Sequence, residues 1–409
     1  MRTSTSGTHR RRTLSTPARA TAVALALATL AGAGVTANAV LASPSDASAD
    51  DHRATREALR AVVEKGGLPG AAAETWKNGN TWFGTAGYAD TKTHRKRSRA
   101  DHFRAASITK VFVATVLLQL QQEGRLDLDD TVDHWLPGVV RGNGNDGRKI
   151  TLRQLLNHTS GLNEYTADPE FQRRTSGAGF PEHRYDTHRP ADLVALAMKR
   201  APQHAPGASA SYANTNFVLA GMVVEKVTGH SYAHEAERRV LRPLRLRETS
   251  FPGQRASLPR PHPVGYSKLR DKRPGAPVVD ATRQNMTWLG AAGEATSTTG
   301  DVNTFLHSLL TGKLLRPAAL REMLTTVPAE QKGFGYGLGV ESVTLPCGVK
   351  VFGKTGRANG SLSGTAATKD GKHHLTFNLN GDWDASTYGG VVEAEFCGKG
   401  SGAGASQKR

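Results

Sequence analysis

A serine and a lysine three residues apart, Ser107 and Lys110 in Ser107-Ile108-Thr109-Lys110, are the pair best placed for chemistry in this 409-residue chain. They open a run, Val111–Leu120, that is apolar on nearly every face and reads as a helix buried on all sides. A spacing of three puts both side chains on one helix face, a turn apart, so the amine reaches the hydroxyl. A serine hydroxyl is a poor nucleophile near neutral pH until a neighbour takes its proton. The start of the helix adds unpaired N–H groups and a partial positive charge where negative charge develops in acyl transfer. Taken alone the spacing is common and fits a capped core helix with a solvated lysine just as well.

Two further strings change its weight. Tyr212-Ala213-Asn214 precedes a helical stretch, and Lys354-Thr355-Gly356 lies at the end of a predicted strand on an edge of the sheet; each occurs once. Lys110 can act as base if burial and a second cation depress its pKa. Tyr212 can act instead as a phenolate if Lys110 and Lys354 both stabilise the anion.

The elements that must position these residues are legible from periodicity. A helix at Ala54–Glu64 and strands at Ala71–Thr75 and Thr81–Tyr88 come first, followed by the Ser107 helix. A long helical region then carries Leu152–Asn157, Ala191–Met198, Asn214–Val227 and Tyr232–Leu241, with loops at 142–147, 177–179 and 202–210. Residues 255–277 are basic, proline-rich and without period, and Asp301–Leu310 and Pro317–Leu324 return to helix. From Phe334 the period switches to two, giving strands at Tyr336–Val343, Val349–Gly353, Ser361–Thr368 and His373–Asn380 and a closing helix near Ser386–Phe396. Strands at both ends with helices between them predict an α+β fold, one antiparallel sheet completed by the two chain ends, with an inserted all-α subdomain.

With these strings in this order the chain resembles the penicillin-recognising serine hydrolases, in particular secreted actinomycete D-alanyl-D-alanine carboxypeptidases and class C β-lactamases, whose second motif is Tyr-x-Asn. Leu155-Leu156-Asn157-His158-Thr159-Ser160-Gly161-Leu162, Leu241-Arg242-Pro243-Leu244, Ser297-Thr298-Thr299-Gly300-Asp301 and Tyr336-Gly337-Leu338-Gly339 are similar to the same family, and the likeness spans roughly residues 53–397. The resemblance implies a β-lactamase/transpeptidase-like fold and a D,D-carboxypeptidase that acts on peptidoglycan peptides and is acylated by β-lactams. It implies Ser107 as nucleophile and favours Tyr212, with Lys110 as its partner, as acylation base. Asn214 would hold the substrate amide and Lys110, and Lys354 and Thr355 would face the substrate's terminal carboxylate. Gly356 would let the strand approach the substrate closely, and the N–H groups of Ser107 and Arg357 would hold the oxyanion. The third motif often begins with His in relatives; Lys354 makes that cation permanent, which weighs against the esterase-like members. A β-lactamase or a D-stereospecific peptidase or esterase uses the same residues. A non-hydrolytic penicillin-binding module is the rival from another class, and no second sensor domain accompanies this one.

The ends and composition set the setting. Arg10, Arg11, Arg12 and Arg19 precede the small and apolar run Ala20–Val35, and Ala37-Asn38-Ala39 follows as a cleavage site, the pattern of a secretory signal over residues 1–39 rather than of a membrane anchor. A leader (40–52), a catalytic domain (53–398) and a flexible tail (399–409) complete the expected organisation. The formal charge of +17 fits anionic wall polymers in a bacterial exterior. The densest patch, Lys92–Arg99, lacks interleaved aromatics that would stack nucleic-acid bases and reads as a solvated loop. The two cysteines, Cys347 and Cys397, form an expected disulfide. His158 is expected to support the wall of the site. His373 and His374 point to opposite strand faces, Asp127, Asp129 and Asp130 read as a solvated turn, and neither metal spacing nor a phosphate loop is present, so no cofactor is expected.

Overall fold

A computed structural model describes residues 52–384 and 386–398. The signal, the leader as far as residue 51 and the tail lie outside the described residues. In chain order come α1 (Arg53–Glu64), β1 (Gly70–Lys77), β2 (Asn80–Gly87), α2 (Thr109–Gln122), α3 (Pro190–Met198), α4 (Asn214–Thr228) and α5 (Thr299–Leu310). There follow β3 (Val327–Pro328), β4 (Phe334–Tyr336), β5 (Glu341–Thr344), β6 (Lys350–Ala358), β7 (Ser361–Thr368), β8 (His373–Leu379) and α6 (Thr387–Cys397). The eight strands form one antiparallel sheet in the order β2-β1-β8-β7-β6-β5-β4-β3, so the N-terminal hairpin completes it beside the last strand, as expected.

Period-two alternation decides what each face of the sheet meets. Ala71 and Ala73 of β1 and Leu375, Phe377 and Leu379 of β8 pack with Leu59 and Val62 of α1 and Val391 of α6. The alternate residues Glu74 and Thr376 meet α5 in the opposite layer, where Thr299 donates to Glu74 at 2.7 Å and Thr376 donates to Asn303 at 2.8 Å. Beyond α5 lies the main core, centred on α2, in which eleven of fourteen residues are buried, as its lack of a polar face demands. Phe112 of α2 stacks on Phe305 of α5 with ring centres 3.8 Å apart, joining the helical insertion to the sheet. Among the described residues no helix is long and apolar enough to cross a membrane.

Four expectations need correction. The single strand foreseen at Tyr336–Val343 is two, because the chain reverses through Gly337–Val340 with Gly339 at φ 77°. With β3–β5 beyond it, the Lys354 strand is internal rather than an edge, and Lys354-Thr355-Gly356 sits within it rather than at its end. The loop at 142–147 contains a short hairpin pairing Arg141–Gly142 with Asn145–Asp146. The basic patch is only partly a solvated loop. Arg97 is buried, binding Asp101 through Nε at 3.0 Å and Asn378 through Nη2 at 2.9 Å, and Arg95 binds Asp101 and the His262 carbonyl. Asp101 is close in sequence, but Asn378 and the His262 carbonyl are 281 and 167 residues away and cannot be read from a charge run.

The chain ends are fastened twice. Cys347, in the turn between β5 and β6, is bonded to Cys397 at the end of α6, with Cα atoms 5.8 Å apart. Nearby, the buried Glu395 of α6 accepts from Thr55 at 2.6 Å and lies 3.1 Å from His52 Nδ1 and 2.7 Å from His373 Nε2. His52, assigned to the leader, is thus buried and pinned, and stacks on Trp82. Burial works against ionisation of Glu395, but the bonds from His373, His52 and Thr55 outweigh it and hold its pKa at about 2.

Two outcomes are expected. Cys347→Ser/Cys397→Ser lowers unfolding free energy by about 2–4 kcal/mol in denaturant titrations, since a closed loop of this length restricts the unfolded chain. Because the folded pKa of Glu395 lies below its ordinary 4.5, its contribution is complete above that value and disappears as pH falls toward 2. Glu395→Gln therefore flattens stability against pH in that window, and an unchanged slope on acid titration would refute this role.

Candidate active site

The segment leading to Ser107 makes a sharp turn. Ala106–Ile108 is a 3₁₀ turn ahead of α2, and Ala106 sits at φ 49°, a left-handed conformation that a non-glycine residue holds only under constraint. Thr109 clamps the turn, donating to the Ala106 carbonyl at 2.6 Å while its hydroxyl accepts the Ala295 N–H at 3.0 Å. On the sheet side, β6 comes so close that a Cβ at Gly356 would lie 2.3 Å from the Ala105 carbonyl oxygen and 3.2 Å from the Ala106 Cβ. The close approach foreseen at Gly356 is therefore to the nucleophile's own turn. It places Ser107 against the strand that carries Lys354 and Arg357.

Lys110 is the second residue of α2, three residues after Ser107, and is completely buried. Its Nζ is 3.0 Å from Ser107 Oγ, 2.7 Å from Asn214 Oδ1 and 2.6 Å from the Ala292 carbonyl oxygen. These three contacts suit an ammonium that donates to all three, and equally a neutral amine that donates to Asn214 and Ala292 and accepts from the serine. Burial, and after it the neighbouring Lys354, push the Lys110 pKa well below the ordinary lysine value, against opposing pulls from Glu164 and Glu341.

Tyr212 arrives on the loop ahead of α4, with its Oη 2.8 Å from Ser107 Oγ. Its ring lies between the two lysines, with Lys110 Nζ 5.0 Å and Lys354 Nζ 5.1 Å from the ring centre. Burial nevertheless raises its pKa well above the ordinary phenol value, the Ser107 hydrogen bond opposing and Glu341 and Glu164 adding. Asn214 begins α4, and its N–H donates to Glu164, which anchors the helix start. His158, in the left-handed region at φ 62°, lies under Tyr212 with ring centres 4.4 Å apart and against Tyr336. Its Nδ1 accepts the Ala213 N–H at 3.3 Å, and burial followed by Lys110 and Lys354 keeps its pKa well below the ordinary histidine value. It props the wall of the site.

Ser107, Tyr212, Asn214, Lys354, Thr355, Gly356 and Arg357 line one cavity of about 380 Å³, and Lys110 closes its floor from behind. The expected site residues are thus together. Lys354 and Thr355, expected to face a substrate carboxylate, instead hold a carboxylate of the chain: Lys354 Nζ pairs with Glu341 of β5, and the Thr355 N–H and hydroxyl each donate to the same side chain at 3.1 Å. Glu341 and Glu164 were missed in the sequence reading, as was the cleft-lining Arg270. An acid at a core-facing strand position was the available signal for Glu341. Trp288 and Leu289 supply an apolar wall. Among the described residues no three His, Cys, Asp or Glu converge to hold a metal.

Comparison with known proteins agrees with this geometry. The sequence profile of the family described as Beta-lactamase matches residues 55–382. The structure is similar to that of a D-stereospecific amidohydrolase from Streptomyces sp., at 52% identity and a TM-score of 0.80, covering 85% of this chain and 99% of that one. It is also similar to the D-amino acid amidase from Ochrobactrum anthropi SV3, at 27% identity and a TM-score of 0.72, covering 84% and 96%. By sequence the chain is 27% identical over 265 residues to penicillin-binding protein 4* of Bacillus subtilis (strain 168), and 30% identical over 191 residues to Protein flp of Staphylococcus aureus (strain MW2). Those matches cover 61% and 46% of this chain but only 55% and 36% of the two relatives. The chain belongs to the beta-lactamase family, and its structure is similar to those of a D-stereospecific amidohydrolase and a D-amino acid amidase.

Proposed function

We propose that this chain is an exported serine amidohydrolase that cleaves amides and peptides of D-amino acids through an acyl-Ser107 intermediate. The observation that carries the chemistry is the contact of Ser107 Oγ with Lys110 Nζ at 3.0 Å and Tyr212 Oη at 2.8 Å. The 52% identity to the Streptomyces D-stereospecific amidohydrolase, over nearly that whole chain, supports the stereochemistry and the amide substrate. Export follows from the N-terminal sequence at residues 1–39.

The directions of the Lys110 and Tyr212 pKa shifts support one order of proton steps. A neutral Lys110, favoured by burial, takes the Ser107 proton as Oγ bonds to the carbonyl carbon. Tyr212, kept protonated by the same burial, relays a proton to the departing nitrogen as the C–N bond breaks. On this reading the base role goes to Lys110, where the motif pattern favoured Tyr212. The N–H groups of Ser107 and Arg357 take the oxyanion, and Asn214 orients Lys110 and the substrate amide. Water then attacks the ester, its proton leaves by the same relay, and Ser107 is restored. Cleavage of D-alanyl-D-alanine wall peptides, with β-lactams as covalent ligands, is the second reading, favoured by the Lys354-Thr355-Gly356 string and the match to penicillin-binding protein 4*.

Offered D-phenylalanine amide, its L enantiomer and diacetyl-Lys-D-Ala-D-Ala side by side, the enzyme is expected to release ammonia from the D amide far faster than from the L amide, and Ser107→Ala to abolish release. Preference for the wall peptide would install the second reading. The kcat/KM against pH is expected to rise through one ionisation below 10.5, as the depressed Lys110 becomes neutral. Tyr212→Phe should lower kcat about 10²–10⁴-fold yet keep that ionisation. Its disappearance in the variant would return the base role to Tyr212.

A further inference from the structure

We infer that Glu341 is a specificity-determining residue that closes the leaving-group end of the cleft to carboxylates, so that amides and carboxyl-capped peptides are taken in preference to peptides ending in a free carboxylate. The inference rests on the amidohydrolase reading and names the leaving-group class of that site.

The orientation of substrate comes from the proton path. The group that protonates the departing nitrogen must stand beside it, and Tyr212 Oη is the phenol within reach of Ser107 Oγ at 2.8 Å. Lys354 Nζ lies 5.1 Å from the centre of that same ring. The leaving nitrogen therefore faces Tyr212, and whatever it carries extends toward Lys354 and Thr355.

Three donors at that end would serve a terminal carboxylate: the Lys354 ammonium, the Thr355 N–H and the Thr355 hydroxyl. All three already hold Glu341, the ammonium on Oε1 and both Thr355 groups on Oε2 at 3.1 Å. Neither partner can swing away easily, since Glu341 is 7% and Lys354 3% exposed. The backbone fixes them too: β5 and β6 pair with Glu341 opposite Gly353, one residue from Lys354. A substrate carboxylate drawn to Lys354 would meet a like charge at contact range in a partly desolvated cleft, where repulsion is screened poorly. A carboxamide carries no charge and meets no such repulsion. An acid placed in this way discriminates by penalising the wrong substrate.

The test is a matched pair, D-alanyl-D-alanine and D-alanyl-D-alanine amide, assayed for release of the C-terminal half by wild type and by Glu341→Gln. Wild type is expected to favour the capped peptide by about tenfold or more in kcat/KM, and Glu341→Gln to cut that ratio at least tenfold, a change in ratio that a purely structural role would not produce. A wild-type preference for the free carboxylate, or an unchanged ratio in the variant, overturns the inference while leaving amide hydrolysis standing. If wild type cleaves neither peptide nor D-phenylalanine amide, the amidohydrolase reading falls and takes the inference with it. Should the variant not fold, wild type alone decides through benzylpenicillin and its methyl ester: acylation of Ser107 no faster by the acid than by the ester supports the inference, and faster acylation by the acid overturns it.

Discussion

The buried amine of Lys110 is the constraint on which the rest of the site depends. A group with three donor positions and no access to water must find its partners inside the protein, or folding bears the full desolvation cost. Its partners come from three separate segments: Ser107 one turn back, Asn214 at the start of α4, and the Ala292 carbonyl ahead of α5. Satisfying one amine therefore fixes the nucleophile, the Tyr-x-Asn loop and the wall of the cleft relative to one another. The same burial disfavours the ammonium, so the packing that gathers these segments also lowers the Lys110 pKa.

Around that amine the backbone accepts strain and very close contact. Ala106 and His158 both hold left-handed conformations without being glycine, one beneath the nucleophile and the other behind Tyr212. Gly356 admits the Ala105 carbonyl where any side chain would collide. These positions lie where the sheet meets the helical insertion, and they bring a helix start, a loop and an internal strand to one carbonyl-sized space. Thr109 and Ser363, which donate to the Ala106 and Ala105 carbonyls, hold the strained turn in place.

Three acids tie charged or polar groups to one another within the protein. Glu341 answers Lys354, Glu164 anchors the N–H of Asn214, and Glu395 binds the two chain ends far from the chemistry. The first of these places an acid from the neighbouring strand on Lys354 and Thr355.

The residue types and their order in the chain were enough to single out Ser107, Lys110 and Tyr212, which the structure brings together, along with the α+β frame and the closing cysteine pair. These depend on local features: a spacing of three on an apolar helix, a switch to period two, and strings that occur once. Tertiary structure decided the rest. That Lys354 is already occupied, that Tyr212 is buried against Ser107 with its pKa raised, and that Arg97 is interior follow from partners 13, 105 and 281 residues distant, and that β6 is flanked on both sides follows from how the strands around it pair. Protonation and availability are set by burial and by what stands within a few ångströms, and neither is a property of the nearest neighbours in sequence.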